Sequence, residues 1–323
     1  MPLRRPFRSL FTSLAVILGL VAAGPACAPA VQVNGVIGAV PSTAAERGTA
    51  LPLWELTHEG RKLYLLGSVH LLRQEVYPLE DAIYTAFDES GVVAFELDFD
   101  EMMAAAPMMM QRGMYGDGRT LRNVLPGELH AEVAARAEQY GLPPAMVDGM
   151  KPWMAAMTLS SLVLQQGGFE ASAGLDLHLH ERAKEREMEI VGLETMEEQI
   201  DVFEGLDEQA QIAFLRSTLE QLDETVSQMD IATDLWRRGD TAGLGEMFID
   251  QMGDQPQAME RLLYERNRNW IPGIEMLLRG ERTAIVVVGV GHLAGEGSVI
   301  DLLRQRGYTV TQLHALPVGA GIR

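Results

Sequence analysis

Two apolar runs far apart in the chain end in the same pattern, and they constrain the fold more than any other feature. The runs "YLLGSVHLL" (64–72) and "VVVGVGHLAG" (286–295) each place Gly-x-x-His after residues that are typical of a buried strand. They lie more than two hundred residues apart. We therefore expect strands from both ends of the chain to join one sheet.

The patterns between these runs predict an α/β fold with a mainly parallel central sheet. A hairpin around "HEGR", a helix and a buried apolar strand make up a βαβ unit near the start. Two long helical insertions interrupt the sheet and are expected to form a cap or layer over it. The predicted strands are 54–57, 62–66, 92–98, 189–193, the apolar run near 286 and 309–313. The predicted helices are 79–89, 128–140, 152–166 and 175–186, and residues 196–278 are predicted to be helical throughout.

The first thirty residues differ from the rest. Arg4, Arg5 and Arg8 precede an uncharged apolar run that is too short for a comfortable membrane span. Small residues follow, as in an export signal, which is predicted over 1–28. Residues 29–50 are rich in Gly, Ala, Val and Pro and are predicted to be a flexible tether. A single domain is expected over 51–323.

Cys27 is the only cysteine and lies at the expected cleavage site. Attachment of a lipid to Cys27 and cleavage after Ala28 or Ala30 both remain open. The predicted location is therefore periplasmic, or anchored to the outer membrane as a lipoprotein. A mature domain without cysteine has neither a disulfide nor a cysteine nucleophile. The net charge of −19, without a clustered basic stripe beyond the first residues, argues against nucleic acid as a partner.

Polar side chains follow four of the predicted strands. Ligands of open parallel sheets bind beyond the carboxyl ends of the strands. If the strands are neighbours, these side chains line one cleft. Singly, each has an ordinary structural explanation, such as a helix cap. The residues are Gly67 with His70, Glu96 with Asp98, Glu194, and Gly289 with His292.

Two imidazoles and two glutamates suit a divalent ion such as Zn, Mn or Co. The candidate metal ligands are His70, Glu96 and His292. Such an ion polarises a carbonyl and activates water, and a carboxylate that is not bound to it can act as general base. Glu96 and Glu194 are the candidates for that role. The glycines are expected to let the chain turn sharply at the strand ends.

Two further motifs supply candidates. "LLYERNRNW" (262–270) is either a solvated helix face or a segment that brings Arg266 or Asn267 to the cleft to hold substrate. In "GLDLHLH" (174–180), residues two apart do not share a helix face, which argues against a metal pair of histidines. Asp176 can cap the helix or orient a histidine of the site. The Met-rich segment 102–114 is expected to be broken at Pro107 and to be plastic packing or a flap over the cleft, with copper binding as a less favoured alternative.

These motifs resemble the TraB/GumN family, which is related to Tiki-type metalloproteases and more distantly to ChaN-like and erythromycin-esterase-like proteins. The resemblance runs from about Trp54 to Leu313. It maps the family's functional residues onto Gly67, His70, Glu96, Glu194, Arg266, Asn267, Gly289 and His292. It implies peptide cleavage that depends on a divalent metal for Tiki-like members, whereas the substrate of bacterial members is unsettled.

The leading hypothesis is an exported metal-dependent hydrolase that acts on peptide or amide bonds. Its partners would be a peptide or small-molecule substrate, and the membrane only through the signal or a lipid at Cys27. The rival hypothesis is a non-catalytic periplasmic binding protein for metal, haem or peptide. A third possibility is metal-free ester chemistry with a histidine as base.

Overall fold

A six-stranded mixed sheet lies at the centre of the molecule. The computed structural model describes residues 50–252 and 256–315, so the predicted signal and the tether, apart from residue 50, lie outside the described residues. The strands are β1 Ala50–His58, β2 Arg61–Ser68, β3 Val92–Phe95, β4 Glu189–Gly192, β5 Ala284–Gly289 and β6 Thr309–His314. Their order in the sheet is β4-β3-β5-β2-β1-β6.

The four strands β4, β3, β5 and β2 are parallel to one another, and β1 is antiparallel to both of its neighbours. The predicted hairpin between β1 and β2 turns at Glu59 and Gly60, both of which have positive φ. That conformation matches the twist of the flanking strands. The predicted α/β class and the mainly parallel sheet are confirmed, and strands from both ends of the chain meet as neighbours.

Helices fill the connections between strands. They are α1 Asp81–Asp88, α2 Phe99–Gly113, α3 Leu121–Val124, α4 Gly127–Gln139, α5 Pro144–Asp148, α6 Pro152–Gln166, α7 Leu175–Glu185, α8 Met196–Glu204, α9 Glu208–Gln221, α10 Thr225–Arg237, α11 Thr241–Met252, α12 Pro256–Met259, α13 Glu265–Arg279 and α14 Val299–Gln305. A π-helical turn, Glu260–Tyr264, leads into α13, and a 3₁₀ turn, Val290–Leu293, follows β5. No helix among the described residues is long and apolar enough to cross a membrane.

The two faces of the sheet bury different sets of helices. Side chains alternate along each strand, so Leu66 and Val287 pack into the large core of the helical layer, whereas Leu65 and Val286 pack on the opposite face. Trp270 of α13 packs on that second face together with α14. The second insertion therefore contributes to both layers, because its last helix crosses to the other side of the sheet.

Several predicted boundaries differ from the structure by a few residues, and two differences from the prediction lie near the site. The strand predicted over 92–98 ends at Phe95, so Glu96 lies directly beyond it. The Met-rich segment was expected to be broken at Pro107, but α2 continues through that residue. Proline has no N–H to donate to the carbonyl one turn earlier in the helix. Because Pro107 is exposed, that carbonyl can bind water instead.

Candidate active site

The polar residues predicted at the strand ends converge at one edge of the sheet. Strand β5 lies between β2 and β3, and β4 is the next neighbour of β3. His70 follows β2, Glu96 follows β3, Glu194 follows β4, and His292 lies in the 3₁₀ turn after β5. The side chains of all four are buried, with exposed fractions of 9% or less.

Neither motif glycine has positive φ. A Cβ on Gly67 would lie 2.8 Å from Cγ2 of Val290, inside the second motif. Gly289 has a φ of −50° and donates its N–H to Oε1 of Glu96 over 2.6 Å. The motif glycines therefore do not act through positive φ, and the missing Cβ of Gly67 lets the two motifs approach one another.

His70 has one nitrogen in a hydrogen bond and the other without a partner. Its Nδ1 is hydrogen-bonded to Oδ2 of Asp176, at the start of α7. Its buried Nε2 has no hydrogen-bond partner and lies 3.9 Å from Oε1 of Glu96. Burial lowers the pKa of His70, but the charge and hydrogen bond of Asp176 more than offset this, so the pKa lies above its usual value.

Arg266 of α13 joins the two glutamates. Its Nη2 donates to Oε2 of Glu96 and to Oε1 of Glu194, each over 2.6 Å, and its Nε donates to Oε2 of Glu194 over 3.0 Å. The guanidinium is 4% exposed, and the two carboxylates keep its pKa above the usual value despite burial. Its Nη1 also donates to the carbonyl of Leu262, in the π-helical turn.

Both oxygens of Glu194 are used within the protein. Oε1 also accepts from Nε2 of Gln199, and Oε2 accepts from Nε1 of Trp270, each over 3.1 Å. Together with the bonds from Arg266, each oxygen accepts two hydrogen bonds. In this arrangement Glu194 anchors Arg266.

His292 has partners for both ring nitrogens. Asn267 donates its Nδ2 to the carbonyl of Gly297, which directs its Oδ1 toward Nδ1 of His292, 2.6 Å away. Nδ1 therefore carries the proton, and Nε2 accepts from Nη1 of Arg266 over 3.1 Å. Burial and then the charge of Arg266 hold the pKa of His292 well below its usual value, so the ring is neutral.

A cavity of about 600 Å³ opens beside this cluster. His70, Glu96 and Asp176 contribute to its lining. Much of the remaining lining is apolar, from residues such as Phe95, Phe99, Met102, Met103, Leu177 and Val287. Concave, mostly apolar space with a few convergent polar groups is the usual form of a small-molecule or substrate site.

The buried cluster has more acidic than basic groups. Glu96, Glu194 and Asp176 face a single guanidinium, that of Arg266. With both imidazoles neutral the cluster carries an excess of two negative charges, and protonation of His70, which its raised pKa favours, still leaves an excess of one. Burial raises the pKa of Glu96, which shows that its charge is incompletely compensated despite the nearby Arg266. A cation beside His70 and Glu96 would offset this excess.

A model of the TraB/PrgY/gumN family matches residues 52–312. The chain belongs to this family. The resemblance predicted from the motifs is thereby confirmed. A relative from Escherichia coli, uncharacterized protein YbaP, is 24% identical over 261 residues, which cover 78% of this chain and 92% of YbaP.

Other members of the family carry names that describe an activity. The metalloprotease TIKI homolog of Amphimedon queenslandica is 23% identical over 313 residues, and metalloprotease TIKI1 of Xenopus tropicalis is 24% identical over 327 residues. The matches cover 81% and 84% of this chain but 61% and 62% of those relatives. No solved structure was found to match the chain. The family thus includes proteins named as metalloproteases.

The predicted ligands fit an ion in part. Oε1 of Glu96 lies 3.9 Å from Nε2 of His70 and 3.8 Å from Nε2 of His292. Two ligands at about 2.0–2.2 Å from one ion can be separated by this distance. The unpartnered Nε2 of His70 supports such a position. However, Nε2 of His292 accepts from Arg266, so its role as a ligand stays a prediction.

A second group of possible ligands lies on the same cavity. Among the residues that the structure describes, Asp98, Asp100 and His180 are the group of three with donor atoms within 4.8 Å of one another. The prediction from sequence did not include His180, because it considered Asp176, His178 and His180 only at spacings of two. The signal that could have found it is the spacing from Asp176 to His180, which places both on one face of α7.

Proposed function

We propose that this protein is an exported, metal-dependent hydrolase that cleaves peptide or amide bonds in the cavity beside His70. The observation that carries the proposal is the unpartnered Nε2 of His70, buried in front of Glu96 in a cluster with excess negative charge. A buried acceptor without a donor beside a buried carboxylate is costly, and a cation relieves both. The relatives named as metalloproteases support the choice of a metal over a proton.

His70 and Glu96 would hold the ion. Such an ion supplies Lewis-acid polarisation of a carbonyl and lowers the pKa of a bound water. His292 would join them only without its hydrogen bond from Arg266. The chemistry of the donors, an imidazole and a carboxylate, suits Mn, Co or Zn.

The remaining residues of the cluster orient these two groups. Asp176 accepts from Nδ1 of His70 and so fixes the tautomer in which Nε2 has a free lone pair. Arg266 holds Oε2 of Glu96, while Oε1 accepts from Gly289 and faces the imidazoles. Glu194 fixes Arg266 and in this role supports the site rather than acting as its base.

The positive charge of Arg266 has a second proposed effect. It lies against Glu96 and opposes the burial that raises the pKa of this carboxyl group. Glu96 can then serve either as a ligand or as an acceptor of a proton from water. The apolar walls, including Phe95 and Val287, exclude bulk water from that step and can receive an apolar side chain of the substrate.

Export rests on the sequence of the first residues. Arg4, Arg5 and Arg8 precede a short apolar run and small residues, which is the form of a cleaved or lipidated export signal. We propose a periplasmic protein or a lipoprotein attached through Cys27. Labelling with a lipid precursor in cells, compared between wild type and Cys27→Ala, distinguishes the two forms.

The test of the activity uses purified protein loaded with Mn, Co or Zn and a peptide library. We expect cleavage that chelators abolish and that His70→Gln and Glu96→Gln remove. The matched control is His130→Gln, because His130 also pairs with a carboxylate, that of Asp148, on helices outside the cavity lining. Metal or peptide binding without any turnover would instead support a binding protein. Turnover that survives complete metal removal would contradict the metal-dependent mechanism.

A further inference from the structure

We infer that Asp98, Asp100 and His180 form a second site for a divalent transition-metal ion on the wall of the cavity. The three side chains come from two elements that face each other. Asp98 and Asp100 begin α2, and His180 lies one turn after Asp176 on α7. Asp100 and His180 belong to the cavity lining. One ligand atom from each of the three residues lies within 4.8 Å of the other two.

His180 provides the observation that points to a ligand. It is 4% exposed, and its Nε2 has no hydrogen-bond partner. The closest carboxylate, Oδ1 of Asp98, is 3.7 Å away, which is too long for a hydrogen bond. Two ligands on one ion can have this separation. Burial lowers the pKa of His180, which favours the neutral form that binds metals.

Both carboxylates already have hydrogen-bond partners. Asp98 caps α2 with Oδ1. Asp100 accepts from Nζ of Lys184, which is 52% exposed and lies 2.9 Å from both oxygens. An exposed ion pair of this kind is weak, so a divalent cation can displace the ammonium. Imidazole with two carboxylates is a donor set for Mn²⁺, Co²⁺ or Zn²⁺. With three protein ligands, such an ion keeps open positions for a ligand or water.

The site differs from the one proposed at His70 and Glu96, so wild-type protein is expected to bind two ions. The experiment is calorimetric titration of metal-free protein with Mn²⁺, supported by the absorption spectrum of the Co²⁺ form. We expect His70→Gln to bind one ion, and Asp100→Asn or His180→Gln in that background to weaken this remaining ion at least tenfold. Lys184→Gln should strengthen the binding of this remaining ion, because it removes the ammonium that competes for Asp100.

The matched control is Glu181→Gln, which removes another carboxylate from the cavity wall. The Mn²⁺ affinity of the Glu181→Gln variant should stay within twofold of that of the protein without this substitution. A single wild-type ion that disappears in His70→Gln would overturn this inference and leave the proposed function intact. A single ion that persists in His70→Gln and is lost in Asp100→Asn would support this site and contradict the one at His70. Affinity unaffected by both Asp100→Asn and His180→Gln would also overturn the inference.

Discussion

His70 and His292 occupy the same position in the same motif, but their surroundings differ. His70 pairs its Nδ1 with a carboxylate, Asp176, and presents an unpartnered Nε2 beside a cavity. His292 pairs its Nδ1 with an amide, Asn267, and uses its Nε2 to accept from Arg266. His292 is fully buried, and the cavity lining in the described part of the chain does not include it.

The partner of Nδ1 therefore influences whether Nε2 is available to a ligand. A carboxylate raises the pKa and basicity of one imidazole, which makes it a strong ligand. An amide and a guanidinium keep the other imidazole neutral and occupied. We therefore propose that His70 lies on the reacting side of the cluster. In this structure His292 helps to hold Arg266 in place.

The largest expected effect is on turnover. His70→Gln should lower kcat/KM of the metal-loaded enzyme by about 10³-fold or more, because a positioned ligand or base is lost. His292→Gln should have a smaller effect, since it removes one acceptor of Arg266 and leaves His70 and Glu96 in place. Steady-state kinetics on the same peptide substrate compares the two variants. Equal losses in both would remove the distinction.

Removal of Arg266 should affect stability most. Arg266→Met leaves Glu96 and Glu194 buried without their cation, which should cost about 3–5 kcal/mol in the free energy of unfolding. It also removes the donor to His292, so the pKa of His292 should rise toward its usual value. Urea unfolding and NMR titration measure the two effects. An unchanged His292 pKa would contradict the role given to Arg266.

The partner of His70 is the next target. Asp176→Asn should weaken metal binding about 10–100-fold, as is typical when the residue that orients a metal-bound histidine is changed. Competition with a chromogenic chelator gives the affinity. The matched variant is Asp148→Asn, which changes the carboxylate beside His130, and it should leave the affinity unchanged.

Contact between the two motifs predicts a smaller loss of stability. Gly67→Ala should cost about 1–3 kcal/mol, because its Cβ would overlap the side chain of Val290. Gly127→Ala is the control, since a Cβ there would have no neighbour within 4 Å. Thermal or urea unfolding compares the two. A Gly67→Ala protein as stable as wild type would show that the motifs do not need this close contact.

The pH dependence of metal-free protein should have opposite signs at the two histidines. The raised pKa of His70 means that its contribution to stability is present below about pH 6.5 and is lost as the pH rises through the folded pKa. The lowered pKa of His292 means that stability falls as the pH drops below about 6.5, where the unfolded chain takes up the proton. Urea unfolding of His70→Gln and His292→Gln between about pH 5 and 8 should remove one trend each.

The residues at the carboxyl ends of the strands could be predicted from the sequence, because buried apolar strands and the glycine motifs are local patterns. It placed His70, Glu96, Glu194 and His292 at neighbouring strand ends, as the structure does. It could not assign their roles, since these depend on contacts such as that from Arg266 to Glu194, 72 residues apart in sequence. The group formed by Asp98, Asp100 and His180 required the packing of α2 against α7, which no local pattern specifies.

The most direct test is the metal affinity of three proteins with Asp100→Asn as background, so that the ion at His70 is counted alone. They are the background protein, its His70→Gln variant and its His292→Gln variant. We predict that His70→Gln weakens binding by at least about 100-fold, as expected when a ligand and its oriented hydrogen bond are both lost. The His292→Gln variant should keep an affinity within about tenfold of the background, since its Nε2 is bound to Arg266. Equal loss in both variants, or full affinity in His70→Gln, would contradict the account.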